Sequence, residues 1–276
     1  MFWVNRPCPR LTLRTTATVL VLAGLAPGAC DRGPKAPPAE APAVASATVD
    51  IPTPPPLVSR AELLLAIANA RSAYAAGQPD VAEGLAGRRF AVRQTFGCDA
   101  VTDPDLATGP VVPGNAGWSW GRDRQTIDIK LTPADLTASP VLAGDNGWEA
   151  AEGYWLARPW LKSEGCPTPP ADSTSGAASS APRAGLAAVF GRESSRVRQR
   201  DGRAFTWTLR GDPPVPPANG YRLVIEGRFS AFPSGRAIRC HSPDIDQEPI
   251  CIAAAEVDRV AFEDSEGRLL QEWRLG

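Results

Sequence analysis

Several groups of residues have types and spacings that suit chemistry. Glu149 and Glu152 stand three apart beside Trp148, Tyr154 and Trp155. Paired carboxylates among aromatic rings are what a glycosidase needs, at about 5 to 5.5 Å for a retaining mechanism or about 6.5 to 9.5 Å for an inverting one. On a strand these two glutamates face opposite ways. Asp244, Asp246 and Glu248 alternate in a short segment between two cysteines and offer hard oxygen ligands of the kind Ca²⁺ takes, without the glycine and distal glutamate of an EF-hand. His241 is the single histidine. Metal sites and relays that need two histidines are therefore excluded, and a Ser-His-Asp triad would have to use a residue adjoining Cys240. No nucleophile elbow, phosphate loop or dinucleotide fingerprint occurs. No catalytic residue, metal or cofactor is assigned on these grounds.

Recognition has better material than catalysis. In Trp155-Leu156-Ala157-Arg158-Pro159-Trp160 a proline interrupts a predicted strand and leaves two indoles and a guanidinium in a loop. Exposed tryptophan stacks on sugar rings and anchors protein contacts. Arg196, Arg198 and Arg200 alternate along one predicted strand, with Arg192, Arg203 and Arg210 nearby. Such a basic ribbon suits lipid phosphate, anionic glycan or an acidic partner, and it equally serves as a charged strand edge that resists aggregation. Trp155, Arg158, Trp160, Arg196, Arg198 and Arg200 are thus the candidate ligand contacts. Trp207 and Trp273 lie among apolar alternations and read as core.

The elements that must position these residues are mostly strands. Ser59-Arg60-Ala61-Glu62 is a capping box, and Leu63, Ile67, Ala70 and Tyr74 recur at helical spacing until Gly77, which predicts a helix over about 60–76. A second capping signal runs from Asp80 to Glu83. From Arg88 the period falls to two. Phe90, Val92, Gln94 and Phe96 share one side of a half-buried strand, Trp118 and Trp120 belong to a second, and Ile127, Ile129 and Leu131 to a third. Thr132 to Asp135 reads as a one-turn helix, and Trp148 to Leu161 as a strand broken at Gly153 and Pro159. Asp201-Gly202 predicts a hairpin between Ser195–Arg200 and Arg203–Leu209. Strands over Tyr221–Phe229, Cys251–Phe262 and Leu269–Leu275 complete the series. The pattern predicts a mainly β fold, an antiparallel sandwich or partly open barrel with one N-terminal helix.

The chain has 276 residues, 29 basic against 30 acidic, with 29 prolines, 25 glycines and six cysteines. A net charge of -1 gives no general attraction to nucleic acid. Residues 1–14 carry Arg6, Arg10 and Arg14 and no acid, and an apolar stretch of 13 residues, Ala17 to Ala29, follows. That is the layout of a signal peptide and is shorter than the roughly 20 residues of a membrane-spanning helix. Leu25-Ala26-Pro27-Gly28-Ala29-Cys30 then resembles the lipobox of bacterial lipoproteins, with Pro27 standing where an aliphatic residue is usual. The resemblance covers residues 1–30 and implies that Cys30 is acylated and becomes the first mature residue. Plain cleavage after Gly28, giving a soluble periplasmic or secreted form, is the alternative. Asp31 to Leu57 is rich in Pro and Ala and reads as a tether that reaches about 80 Å at roughly 3.1 Å per residue.

Cys98, Cys166, Cys240 and Cys251 remain after Cys8 and Cys30 are set aside, an even number suited to two bridges in an oxidising compartment. The short spacing of the last two favours Cys240–Cys251, which leaves Cys98–Cys166. The expected layout is a signal peptide over 1–29, lipidated Cys30 and tether over 30–58, and a β-rich domain over 59–276. Subdomains 59–166 and 185–276, joined by a flexible 167–184 loop, are a variant of it. The function this implies is a lipid-anchored envelope protein that binds protein, peptidoglycan or saccharide without catalysis and without nucleic acid. The rival is a periplasmic carboxylate-dependent hydrolase.

Overall fold

Ser59 caps the helix as its sequence predicts: its hydroxyl accepts the Glu62 N–H while the Glu62 carboxylate accepts the Ser59 N–H at 2.8 Å. The computed structural model describes residues 55–78, 84–98, 111–142, 147–168, 182–195, 198–211 and 214–275. The signal peptide, Cys30, most of the tether, the second capping signal at Asp80–Glu83, the core of the 167–184 loop and Arg196 lie outside the described residues. Helix α1 covers Arg60–Ala75 and buries Leu63, Leu64, Ile67 and Ala70. It ends in a Schellman motif, with the Gln78 N–H on the Ala73 carbonyl, the Gly77 N–H on that of Tyr74, and Gly77 at φ 67°.

The strands in chain order are β1 (Arg89–Phe96), β2 (Ala116–Trp120), β3 (Thr126–Leu131), β4 (Ala134–Asp135), β5 (Ala150–Trp155), β6 (Ala184–Phe190), β7 (Phe205–Arg210), β8 (Tyr221–Phe229), β9 (Ile238–His241), β10 (Ile250–Glu263) and β11 (Leu269–Arg274). Eight of them form one sheet in the order β1-β8-β10-β6-β5-β4, with β9 and β11 also paired to β10. The remaining three form a small sheet, β2-β3-β7. The fold is mainly β with open sheets, and every ladder is antiparallel except that of β6 with β10.

Strand β10 organises the large sheet because it is long enough to change partners on both edges. One edge carries β9 and then β8, and the other carries β6 and then β11. Its register shifts between Val257 and Arg259, where the chain bulges. Ile127, Ile129, Leu131 and Phe205 of the small sheet meet Tyr221, Leu223 and Phe262 of the large one in the main core. Trp273 stands edge-on to both Phe205 and Phe262, at 5.2 and 5.3 Å between ring centroids. A second cluster, including Ala151, Ala187, Val189, Phe232 and Ala254, covers the opposite face. Strand β6 and the first half of β10 are therefore buried on both sides, which is why they read as unbroken runs of small apolar residues.

Both disulfides form. Cys98–Cys166 links residues 68 apart, and Cys240–Cys251 joins residues directly opposite each other across β9 and β10.

Four local expectations are corrected. Thr132–Asp135 is no helix: Ala134 pairs with Gly153, where a Cβ would come within 2.7 Å of Leu136, so a strand partner outweighs the capping signal. Gly153 accordingly lies inside β5, which spans only Ala150–Trp155. Strand β1 is covered on both faces, since Ala91 and Thr95 are buried as well as Phe90 and Val92. The Asp201-Gly202 turn does form, with φ values of 49° and 74° and the Arg203 N–H on the Arg200 carbonyl at 2.8 Å. Of the strand expected before it, the described residues Ser195 and Arg198–Arg200 are not in a strand. Strand β7 pairs instead with β3, Trp207 opposite Ile129, because that register places Phe205 in the shared core.

Candidate binding surface

The Trp155–Trp160 segment is held from beneath by a buried arginine. Arg60, the first residue of α1, is 2% exposed. One of its terminal nitrogens donates to the carbonyls of Ala157 (2.6 Å), Arg158 (3.1 Å) and Leu161 (3.3 Å), and the other to Gln94 Oε1 (3.1 Å). Gln94 in turn accepts the Ala157 N–H at 3.0 Å and donates to the Trp155 carbonyl at 2.9 Å. Burial, and then the neighbouring Arg158 cation, lower the Arg60 pKa to about 10, with Glu164 acting the other way. It therefore remains charged at neutral pH, solvated by carbonyl dipoles.

Arg158 is a second tie. Its guanidinium donates to the Thr95 carbonyl at 2.6 Å and to the Thr95 hydroxyl at 3.2 Å. Its backbone adopts φ 49°, and the Leu161 N–H closes a turn on its carbonyl. Trp155 is also structural, because its ring lies where Cβ atoms at Gly114 and Gly185 would fall, 2.4 and 2.9 Å away. What this scaffold presents outward is Trp160, 71% exposed. Of the three candidates in this segment, then, two support the loop and one is displayed by it.

Among the described residues of the arginine ribbon, neither Arg198 nor Arg200 lies in a strand. Arg196 is outside the described residues. Arg200 is used internally: its guanidinium lies 4.5 Å from the Phe205 ring centroid and donates to the Ala204 carbonyl at 2.9 Å. Arg198 reaches towards Glu256 and Asp258 at 3.8 and 3.9 Å. The cause is again the pairing of β7 with β3, which leaves the preceding segment free of any ladder among the described residues.

Glu149 and Glu152 occupy different environments. Glu149 is exposed and 3.7 Å from Arg192. Glu152 is 6% exposed, and its Oε1 accepts the N–H groups of Arg200 (2.7 Å) and Asp201 (2.9 Å). Burial raises its pKa, more than those two bonds lower it, and Asp201 adds to the rise. Around the β9–β10 turn, Glu248 is bonded to Arg71, and among the described residues no three His, Cys, Asp or Glu side chains converge as metal ligands would. His241 lies on β9 opposite Ile250.

A cleft of about 600 Å³ opens between β6 and β10. The ladder joining these strands ends at Ala255 opposite Ala188, and β11 takes up the same edge of β10 only from Arg259. The strands part in between. Ala188, Val189, Phe190, Ala255 and Val257 line the cleft together with Arg192, Arg198 and Glu256.

Sequence reasoning missed Arg60 and Gln94 as the loop's support. The available signal was Gln94 itself, a polar residue on the apolar side of β1. The cleft had no signal, since it exists only because β10 changes partners. No family model matches the chain, and no curated protein and no solved structure matches it either.

Proposed function

We propose that the protein is exported, acylated at Cys30 and held at the periplasmic side of a bacterial membrane, where its β domain binds an envelope partner without catalysis. The observation that carries the binding role is Trp160, displayed at 71% exposure on a loop whose carbonyls are tied to buried Arg60. A rigid indole loses little conformational entropy when a ligand stacks on it, which favours contact with saccharide, peptidoglycan or a protein surface. Export is supported by the two bridges, which consume Cys98, Cys166, Cys240 and Cys251 and persist in oxidising compartments. No helix among the described residues is long and apolar enough to cross a membrane. In this reading the anchor is the lipid on Cys30.

Mass spectrometry of the protein from its own envelope, together with co-sedimentation with purified peptidoglycan and capture of envelope proteins, tests the reading. Expected are a diacylated Cys30 as first residue and retention that falls at least about tenfold in Trp160→Ala with an unchanged melting temperature. Full-length reduced protein in the cytosol overturns the location. Undiminished retention by Trp160→Ala overturns the loop.

A further inference from the structure

The small sheet ends on β7, whose ladder with β3 leaves its other edge without a partner strand among the described residues. In the β2–β3 hairpin the Gly121 N–H donates to the Thr126 carbonyl at 2.8 Å. Bonded positions alternate along an antiparallel pair, so Thr126, Asp128 and Lys130 bond to β2 through their backbones, and Ile127, Ile129 and Leu131 bond to β7. Phe205, Trp207 and Leu209 are therefore tied to β3, and Thr206, Thr208 and Arg210 direct their N–H and carbonyl groups to the open edge. The start of β7 is closed off, with Phe205 against Trp273 of β11 and the Ala204 carbonyl taken by the Arg200 guanidinium at 2.9 Å. From Thr206 onward the edge is open among the described residues. Other edges are blunted. Along β1, Val58 bonds to Arg89 and Ala91, and Arg158 to the Thr95 carbonyl. Strand β11 carries Glu272 and Arg274, β4 and β9 have two and four residues, and β2 contains Gly117, over which the Val111 side chain packs. Strand β7 has threonines on its exposed face, one arginine at its end and no proline.

We propose that β7 pairs antiparallel with β7 of a second copy of this chain, about a two-fold axis at Thr208. The two small sheets then become one continuous sheet. In this register Thr208 stands opposite its own copy, Thr206 opposite Arg210 and Trp207 opposite Leu209. Every outward N–H and carbonyl from Thr206 to Arg210 finds a partner. Centring on Trp207 instead would leave the Arg210 backbone unpaired. Trp207 and Leu209 are only partly buried, packed on the main core from one side. They fall in non-hydrogen-bonded pairs, where side chains approach most closely, so each indole is covered by a leucine of the other copy. The two Arg210 side chains lie at opposite ends of the pairing, and no like charges on β7 stand opposite each other. This self-match is what favours a second copy over a strand of another protein. If the chain is anchored through Cys30 as proposed above, copies share a membrane plane and their effective concentration rises. The edge contains no residue of the Trp160 loop, and the pairing does not depend on the role given to that loop.

Sedimentation velocity of the mature chain carrying Cys30→Ser, which removes acylation and the odd thiol, tests this. Between about 1 and 200 µM a monomer should give way to a dimer. Thr208→Pro removes one outward N–H at a position where an edge strand tolerates proline, and should raise the dissociation constant at least about tenfold. Cross-linking reads the register. Opposite residues in a bonded pair have Cα atoms about 5.5 Å apart, within disulfide range, so Thr208→Cys should form an intermolecular bridge on mild oxidation. Thr206→Cys should not, since four residues of stagger set it about 14 Å from its copy. A chain that stays monomeric at about 200 µM overturns the proposal. So does a dimer in which Thr206→Cys bridges as readily as Thr208→Cys, because the contact then lies elsewhere. That comparison decides the matter even if Thr208→Pro fails to fold.

Discussion

Arg60 and Gln94, thirty-four residues apart, meet at 3.1 Å inside the domain and between them bond the backbone of residues 155, 157, 158 and 161. A helix start and a strand centre thus determine the path of the loop that carries Trp160. Replacing Arg60 by Met keeps much of the volume but leaves the part-buried Ala157 and Leu161 carbonyls without this donor, while the Arg158 carbonyl keeps the Leu161 N–H. Each lost bond costs about 1 to 3 kcal/mol, so Arg60→Met should lower unfolding free energy by about 2 kcal/mol or more in urea titration.

The two tryptophans of that segment should behave in opposite ways. Trp155 fills the space over Gly114 and Gly185, whereas Trp160 stands in solvent. Trp155→Ala should cost about 2 kcal/mol or more, and Trp160→Ala should stay within about 0.5 kcal/mol of the parent, both read from urea midpoints.

Glu152 should make stability depend on pH. Its carboxyl is harder to ionise in the folded protein than in the unfolded chain, because burial outweighs the N–H bonds from Arg200 and Asp201. The folded state then holds the proton more tightly, so this contribution is complete below the ordinary carboxyl pKa and is lost as pH rises through the elevated one. Nearby charges are Arg200 and Asp201 at the turn, and the buried Tyr154 phenol interacts with Glu152 on the same strand. Glu152→Gln keeps an acceptor for the turn but cannot ionise. Between pH 4.5 and pH 7 the parent should therefore lose stability relative to Glu152→Gln, and parallel curves would remove this account of the site.

The two disulfides should differ in weight. Chain-entropy closure over 68 residues is worth about 4 kcal/mol and over 11 residues about 3 kcal/mol. The paired substitution Cys98→Ala with Cys166→Ala should accordingly destabilise more than Cys240→Ala with Cys251→Ala, measured by thermal unfolding without reductant.

Gly227 should tolerate no side chain. A Cβ there would lie 2.1 Å from the Glu256 carbonyl oxygen, which belongs to a paired strand and has no room to retreat. Gly227→Ala should cost about 3 kcal/mol, read by thermal unfolding.

What the residues determined unaided is local. The Ser59 capping box, the stop at Gly77, the Asp201-Gly202 turn and most strand spans follow from chemistry within a few residues, where no long loop has to close. The bridge between Cys240 and Cys251 was legible for the same reason. Tertiary structure decided what depends on distant partners. Asp201-Gly202 could not specify whether β7 would pair with the segment before it or with β3, since both offer backbone and only the burial of Phe205 against the other sheet separates them. Thr132–Asp135 carried a sound helix signal that lost to a strand partner at Gly153. Arg60 resembled any solvated first residue of a helix until a loop almost a hundred positions away supplied its carbonyls. The cleft, likewise, arises where β10 passes from β6 to β11, a junction that no stretch of sequence contains.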